Sequence, residues 1–301
     1  IQPSRILAEQ EAATKSPSTA VPTKADGAID VGHALGVACF SEQSTVQLQA
    51  QDAPILMKDL QVGDRVLTLS GKYAPVYAFG HYNHEKRAEF VQLTTRISTL
   101  ELTPDHLVFL NGKKHPVRAD SVHKGDMLRG QSVGLKVLDV NWVERAGVYT
   151  PLTSDGTILV DGIAASSYIS LQAHANEYVE VDGFFAVLGL SQHLHIHMGL
   201  SPLRLLCMGV SSSFCDNAHD NEEGMPSYVN FALRLQKFIH SESGLLQLLA
   251  LLFISAVTGS CLVAESLFGP IYAPTTLLLL GLMYWLARCC RIHVRITIKW
   301  S

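Results

Sequence analysis

The sequence predicts an all-β domain followed by a mostly α-helical, membrane-associated C-terminal region. Three observations carry that expectation. Short β-rich runs recur from Val37 to about Leu171, separated by Gly, Asp, Asn and Pro. One segment is echoed: Leu60–Gln61–Val62–Gly63–Asp64–Arg65–Val66 aligns with Val122–His123–Lys124–Gly125–Asp126–Met127–Leu128, each a Gly-Asp turn returning to a strand. Apolar sequence concentrates after Gly244, in a chain of 301 residues that is 48% hydrophobic.

Residues 1–36 are rich in Ala, Ser, Thr, Lys, Pro and Gly and lack apolar periodicity, which predicts a linker at the end of an upstream segment. Within residues 37–171, strands are expected at 45–48, 65–69, 76–79, 90–94, 99–102, 107–110, 127–128, 135–140, 148–152 and 157–160. Residues 172–243 are mixed, with a helix expected over 226–240. Residues 244–301 read as an apolar hairpin: candidate spans 244–264 and 271–287, a connection at 265–270, and a tail carrying Arg288, Arg291, Arg295 and Lys299. The alternative is a pair of buried helices packed on the β domain.

A net charge of -4 argues against an electrostatic nucleic-acid binder. The six cysteines, at 39, 207, 215, 261, 289 and 290, fit neither a zinc site nor a dense disulfide scaffold. Cys39 stands alone in the first 200 residues, so the β domain has no internal disulfide, and the redox compartment stays open. The chain starts at Ile1 without a signal-peptide pattern and reads as the C-terminal part of a longer precursor.

Cys39 brings the chemistry. A thiol is nucleophilic near neutral pH. Attack on the preceding carbonyl turns a peptide bond into a thioester, provided the departing nitrogen is protonated. A histidine supplies that proton, and a hydroxyl assists. Thr103–Pro104–Asp105–His106, after an expected strand, offers such a pair. By themselves these residues fit a buried structural Cys and a turn His equally well.

The order of blocks along the chain adds specificity. Ala38–Cys39–Phe40 with Ser44–Thr45–Val46 resembles the start of the Hedgehog C-terminal autoprocessing domain, a member of the intein-like Hint superfamily. Gly63–Asp64–Arg65–Val66, then Leu102–Thr103–Pro104–Asp105–His106, then Gly147–Val148–Tyr149–Thr150–Pro151 and Ala164–Ala165–Ser166–Ser167–Tyr168 match further blocks in order. The resemblance spans about 38–171 and implies the Hint fold, whose two related halves suit the echoed turn.

The resemblance also implies the reaction. Cys39 would perform an N-to-S acyl shift at the Ala38–Cys39 bond, with His106 as proton donor and Thr103 assisting. A sterol hydroxyl, that of cholesterol in Hedgehog proteins, would resolve the thioester and leave a lipid ester on the released precursor segment. No metal or cofactor is implied; the sterol or another lipid alcohol is a second substrate. Two departures matter. His81 stands where the family has an Asp that activates the sterol, and the alternative there is a solvated loop histidine beside His84. Ser167 stands where the family has a Cys. No His-Asn pair occurs, so intein-like splicing is not expected.

Residues 191–205 resemble the lipid-recruiting stretch after the family's core. Histidines 193, 195 and 197 alternate; on a strand they would share a face, as in a metal site. No carboxylate or Cys lies nearby, and an apolar face is expected instead. The implied setting is a membrane of the secretory pathway, the endoplasmic reticulum, although the basic tail conflicts with a lumenal β domain if both segments span. Hydrolysis without lipid transfer, and a non-catalytic Hint scaffold, are the alternatives.

Overall fold

The computed structural model describes residues 39–169, 191–209 and 252–269, with Cys215, Pro226, Tyr228, Leu249 and Gly281 singly. The linker at 1–36, Ala38, the helix expected at 226–240 and the second apolar segment at 271–287 lie outside these, apart from the single residues just named.

Residues 39–169 are β throughout, as expected. In order the strands are β1 (Thr45–Val46), β2 (Ile55–Leu56), β3 (Arg65–Leu67), β4 (Tyr73–Thr94), β5 (Thr99–Leu102), β6 (His106–Val108), β7 (Val117–Arg118), β8 (Met127–Arg129), β9 (Gly134–Lys136), β10 (Asp139–Thr153), β11 (Thr157–Val160) and β12 (Ile163–Ile169). One sheet runs β2-β1-β11-β12-β6-β7; a second runs β10-β4-β3, with β5 also on β4; β8 and β9 form a hairpin.

The two runs expected at 76–79 and 90–94 are one 22-residue strand, β4, which pairs antiparallel with β10 from Thr94↔Asp139 to Val76↔Thr153. Its middle, His81–Tyr82–Asn83–His84–Glu85–Lys86–Arg87, reads as loop by polarity. The β10 ladder overrides that composition. The run expected at 135–140 divides between β9 and the start of β10.

The echoed turns superimpose bond for bond. Each follows a 3-10 turn, Met57–Asp59 or Ala119–Ser121. Gly63 donates to the Val76 carbonyl at 2.8 Å, and Gly125 to that of Val137 at 2.9 Å. The Asp64 and Asp126 carboxylates accept from Gln61 and His123 backbone N–H, each at 2.9 Å. Gly63 and Gly125 have φ of 96° and 100°, a conformation that side chains beyond glycine resist.

One apolar core joins the halves, with Phe40, Met57, Leu60, Val91, Leu100, Leu102, Leu128, Tyr149 and Ile158 among its buried members. An Asp161–Gly162 turn closes the β11–β12 hairpin, and the Asp161 carboxylate accepts from the Thr45 backbone and hydroxyl at 2.9 and 2.8 Å.

After the β domain come α1 (Gln192–Gly199), α2 (Ser201–Gly209) and α3 (Leu252–Gly269). The alternating histidines sit on helix α1, not on a strand. Ser191 caps it, its hydroxyl accepting from Leu194 N–H at 3.1 Å. At a four-residue spacing on a helix, His193 and His197 share a face. Among the described residues no cluster could hold a metal ion.

Helix α3 is long and apolar enough to cross a bilayer by length and composition. It continues to Gly269, past the expected end at 264. Glu265, expected in the connection, lies inside it and pairs with Arg204 of α2. Cys207 and Cys215 form a disulfide, which lies outside the β domain.

Candidate active site

Cys39 and Phe40 thread between β5 and β10. Phe40 exchanges backbone hydrogen bonds with Tyr149 at 2.8 and 3.1 Å, and Thr103 N–H donates to the Cys39 carbonyl at 3.0 Å. Phe40 is fully buried, and its ring lies 4.3 Å from that of His106, centroid to centroid. The aromatic residue after Cys39 therefore anchors the segment and floors the imidazole at once.

Thr103, Pro104, Asp105 and His106 form the β5–β6 turn, closed by His106 N–H to the Thr103 carbonyl at 3.0 Å. Proline at the second turn position presets the required φ. The turn brings Thr103 Oγ1 to within 3.1 Å of the Cys39 backbone N, whose N–H it accepts. That nitrogen is the leaving group if the peptide bond before Cys39 is cut.

His106 is fully buried. Its Nε2–H donates to the Ser166 carbonyl at 2.8 Å. A carbonyl only accepts, so the neutral ring carries its lone pair on Nδ1. Among the described residues, Nδ1 has no partner at hydrogen-bond geometry. Burial pushes the imidazole down to about 4, against the opposing pull of the Ser166 and Cys39 backbones.

The Cys39 thiol is 2% exposed, and burial pushes it up to about 12. His81 Nδ1 at 3.4 Å and the Thr150 hydroxyl at 3.6 Å reach its sulfur. Thr150 favours the thiolate; Asp105, more distant, opposes it. Between Tyr149↔Tyr82 and Pro151↔Phe79 the β4–β10 register shifts, so Gly80 and His81 together face Thr150. This bulge aims His81 at the sulfur. His81 is 3% exposed, which removes the solvated-loop alternative.

The structure thus gathers Cys39, Thr103, His106 and His81 in one buried site; Ala38 lies outside the described residues. Sequence reasoning missed Thr150 as a group on the sulfur, although it sits in the matched block around Tyr149. It also missed Ser166, whose contribution is a backbone carbonyl that no side-chain pattern reveals. Ser167 hydrogen-bonds Thr153 Oγ1 at 3.2 Å.

A family model described as the Hint module matches residues 30–241. The hedgehog proteins of Drosophila virilis and Drosophila hydei are each 34% identical over 197 residues, which is 61% of this chain and 36% of theirs. Warthog protein 6 of Caenorhabditis elegans is 30% identical over 150 residues, 45% of this chain and 25% of that protein. The chain spans about a third of the length of the hedgehog proteins it matches. Among solved structures, the gp41-1 intein is 15% identical with a TM-score of 0.38, covering 43% of this chain and 98% of its own. A DnaB intein from Synechocystis sp. PCC 6803 is 14% identical with a TM-score of 0.37, covering 44% and 99%. With the family model matching most of its length, this chain belongs to the Hint module family.

Proposed function

We propose that this module cuts its own precursor before Cys39 and transfers the upstream segment to a lipid alcohol. One observation carries the reading. Cys39 has its sulfur on His81 and Thr150 while its amide nitrogen is held by Thr103 beside His106.

The chemistry follows from those contacts. As Sγ attacks the Ala38 carbonyl carbon, the thiol proton passes to His81 Nδ1 and the C–S bond forms. Thr150 supports the charge developing on sulfur. The C–N bond then breaks, and the nitrogen must gain a proton. His81 releases the thiol proton to solvent; His106, with Nε2–H committed to Ser166, takes a proton up on Nδ1 and passes it to the nitrogen, so both rings end neutral. Burial disfavours the charged ring, so an imidazolium formed there gives up its proton readily. The sum is one peptide bond exchanged for one thioester and one amine, the thiol proton replaced at nitrogen.

In the second step an alcohol oxygen attacks the thioester carbon. His81, already at the sulfur, takes the alcohol proton and returns it to the departing thiolate. The product is an ester of the upstream segment and a free Cys39 thiol. A sterol or related lipid alcohol fits because helix α3 exposes Leu252, Phe253, Val263 and Leu267. An apolar helix of this kind holds the site at a bilayer surface, where such hydroxyls are concentrated. The Cys207–Cys215 disulfide supports an oxidising compartment, as in the secretory pathway.

The test is to express the chain behind a tagged upstream segment and add dithiothreitol. Cleavage between Ala38 and Cys39 is expected, and its complete loss in Cys39→Ala. Mass spectrometry of the fragment released in membranes reads the adduct: a sterol-sized increment supports transfer, a free carboxyl supports hydrolysis, and an uncut chain defeats the proposal.

A further inference from the structure

We propose that His193 of helix α1 is a positioning residue for the acyl shift: through the Ser166 hydroxyl it fixes the carbonyl that holds His106 in its Nε2–H form. The inference rests on the acyl-shift reading of Cys39 and His106.

The argument begins with β12. Its pairing with β6 runs from Ala165↔Val108 to Ile169↔His106, four residues against two. Ser166, Ser167 and Tyr168 therefore bulge out of that ladder. A regular ladder would spend the Ser166 carbonyl on β6 backbone; the bulge frees it for the His106 ring. What a bulge gains in aim it loses in ladder support, so its geometry must be secured by other contacts.

The side chain of Ser166 supplies them. Its Oγ accepts Tyr168 N–H at 2.9 Å, closing the bulge locally. With that bond in place, the hydroxyl proton is free for His193 Nδ1, 2.8 Å away. His193 is seated by Phe109 and Tyr168, with ring centroids at 5.4 and 5.3 Å, and stacks on His197. His197 Nδ1 meets the Tyr168 hydroxyl at 2.8 Å, on the other arm of the same bulge. Helix α1 thus grips both arms, at Ser166 and at Tyr168.

The fold makes room for this grip. Gly156, in the turn before β11, has φ of 78°, and a Cβ there would lie 2.6 Å from His197 Nδ1. Helix α1 is in turn held by α2, where Arg204 donates to the His197 carbonyl at 3.1 Å. The His106 tautomer depends on this chain of contacts. If the Ser166 carbonyl drifts, the bond that selects Nε2–H is lost, and the Nδ1–H tautomer gains population. The helix lies beyond the β domain that carries the reacting groups, yet one of their protons is set from it.

Two measurements on the full chain test this, with an upstream tag for the first. In dithiothreitol cleavage, His193→Ala and Ser166→Ala are expected to slow the reaction at least about 10-fold, a fraction of what a proton donor contributes. His193→Asn, whose amide reaches the same point as Nδ1, is expected to stay within about 3-fold of the parent. In the second, imidazole nitrogen NMR of the Cys39→Ala chain in micelles is expected to show His106 as the Nε2–H tautomer. Adding His193→Ala should mix the tautomers, and adding His193→Asn should restore one. The inference is overturned if His193→Ala leaves both rate and tautomer unchanged, or if Asn fares no better than Ala. A parent chain that dithiothreitol does not cut would instead defeat the acyl-shift reading, and the NMR arm would still decide what His193 does.

Discussion

The β domain and the helices that follow it are held together in different ways. The β domain is tied by backbone: ladders, two matching Gly-Asp turns and an Asp-Gly hairpin. The helices are tied by side chains. Ser166 meets His193, Tyr168 meets His197, Arg204 meets Glu265, and Cys207 meets Cys215. Ladders tolerate the loss of one residue; a set of single pairings does not. The helical part is therefore where one substitution should matter most to stability, and the β domain is where the nucleophile should stay shielded throughout.

The largest expected effect tests the shielding. Cys39 is buried with its thiol near 12, against a usual value of 9.0. Alkylation by iodoacetamide at pH 8 should be about 10³-fold slower than in urea-unfolded chain, from the thiolate fraction alone. Mass spectrometry of Cys39 reads this. The same protection in Arg204→Ala sharpens the contrast between the two regions; loss of protection there breaks it.

Next is Arg204 itself, 1% exposed and paired with Glu265. Arg204→Ala leaves the partly buried Glu265 carboxylate with the Ser201 hydroxyl but no countercharge and should cost about 3 kcal/mol in the helical part. A separate early transition in urea, with β-sheet circular dichroism retained, is the expected result. A single transition at the parent midpoint contradicts it.

Acid should act on both regions unequally. His106, His193 and His197 are each held down to about 4 by burial. The unfolded chain takes up these protons first, from about pH 6.5, so stability falls with acidification and levels off below about 4. The slope reaches roughly 1.4 kcal/mol per pH unit for His106 and less for the two part-buried histidines of α1. Urea midpoints between pH 7 and pH 4 should flatten in His193→Asn/His197→Asn.

The smallest effect compares the twin turns. Asp64→Ala and Asp126→Ala each remove one carboxylate-to-amide bond and should cost about 1 kcal/mol, equally within error. Unequal costs would mean that the repeat is geometric only.

The same contrast explains what could be read in advance. Turns and alternation are local, so β5 and β11 were legible to the residue, and the twin turns announced a duplicated fold. Resemblance located Cys39, Thr103, His106 and His81. The polar middle of β4 hid its strand, because pairing with β10 outweighs local composition. Asp161–Gly162 carried a hairpin signal that went unused, and β12 was missed with it. The histidine alternation suggested a strand, whereas Ser191 at the N-cap and the four-residue spacing belong to a helix. Glu265 looked like a break between apolar segments because its partner Arg204 is 61 residues away. Ser166 acts through its carbonyl, which every residue possesses.

The clamp on Phe40 has a kinetic consequence. Two backbone bonds to Tyr149 and the Thr103 bond to the Cys39 carbonyl all lie downstream of the bond that the proposed acyl shift would break. The newborn amine would stay tethered beside the acyl group it has just lost, free to recapture it. Under the proposed reaction, amide and thioester would form a reversible pair within one molecule, and only the arrival of an outside acceptor would make the separation permanent.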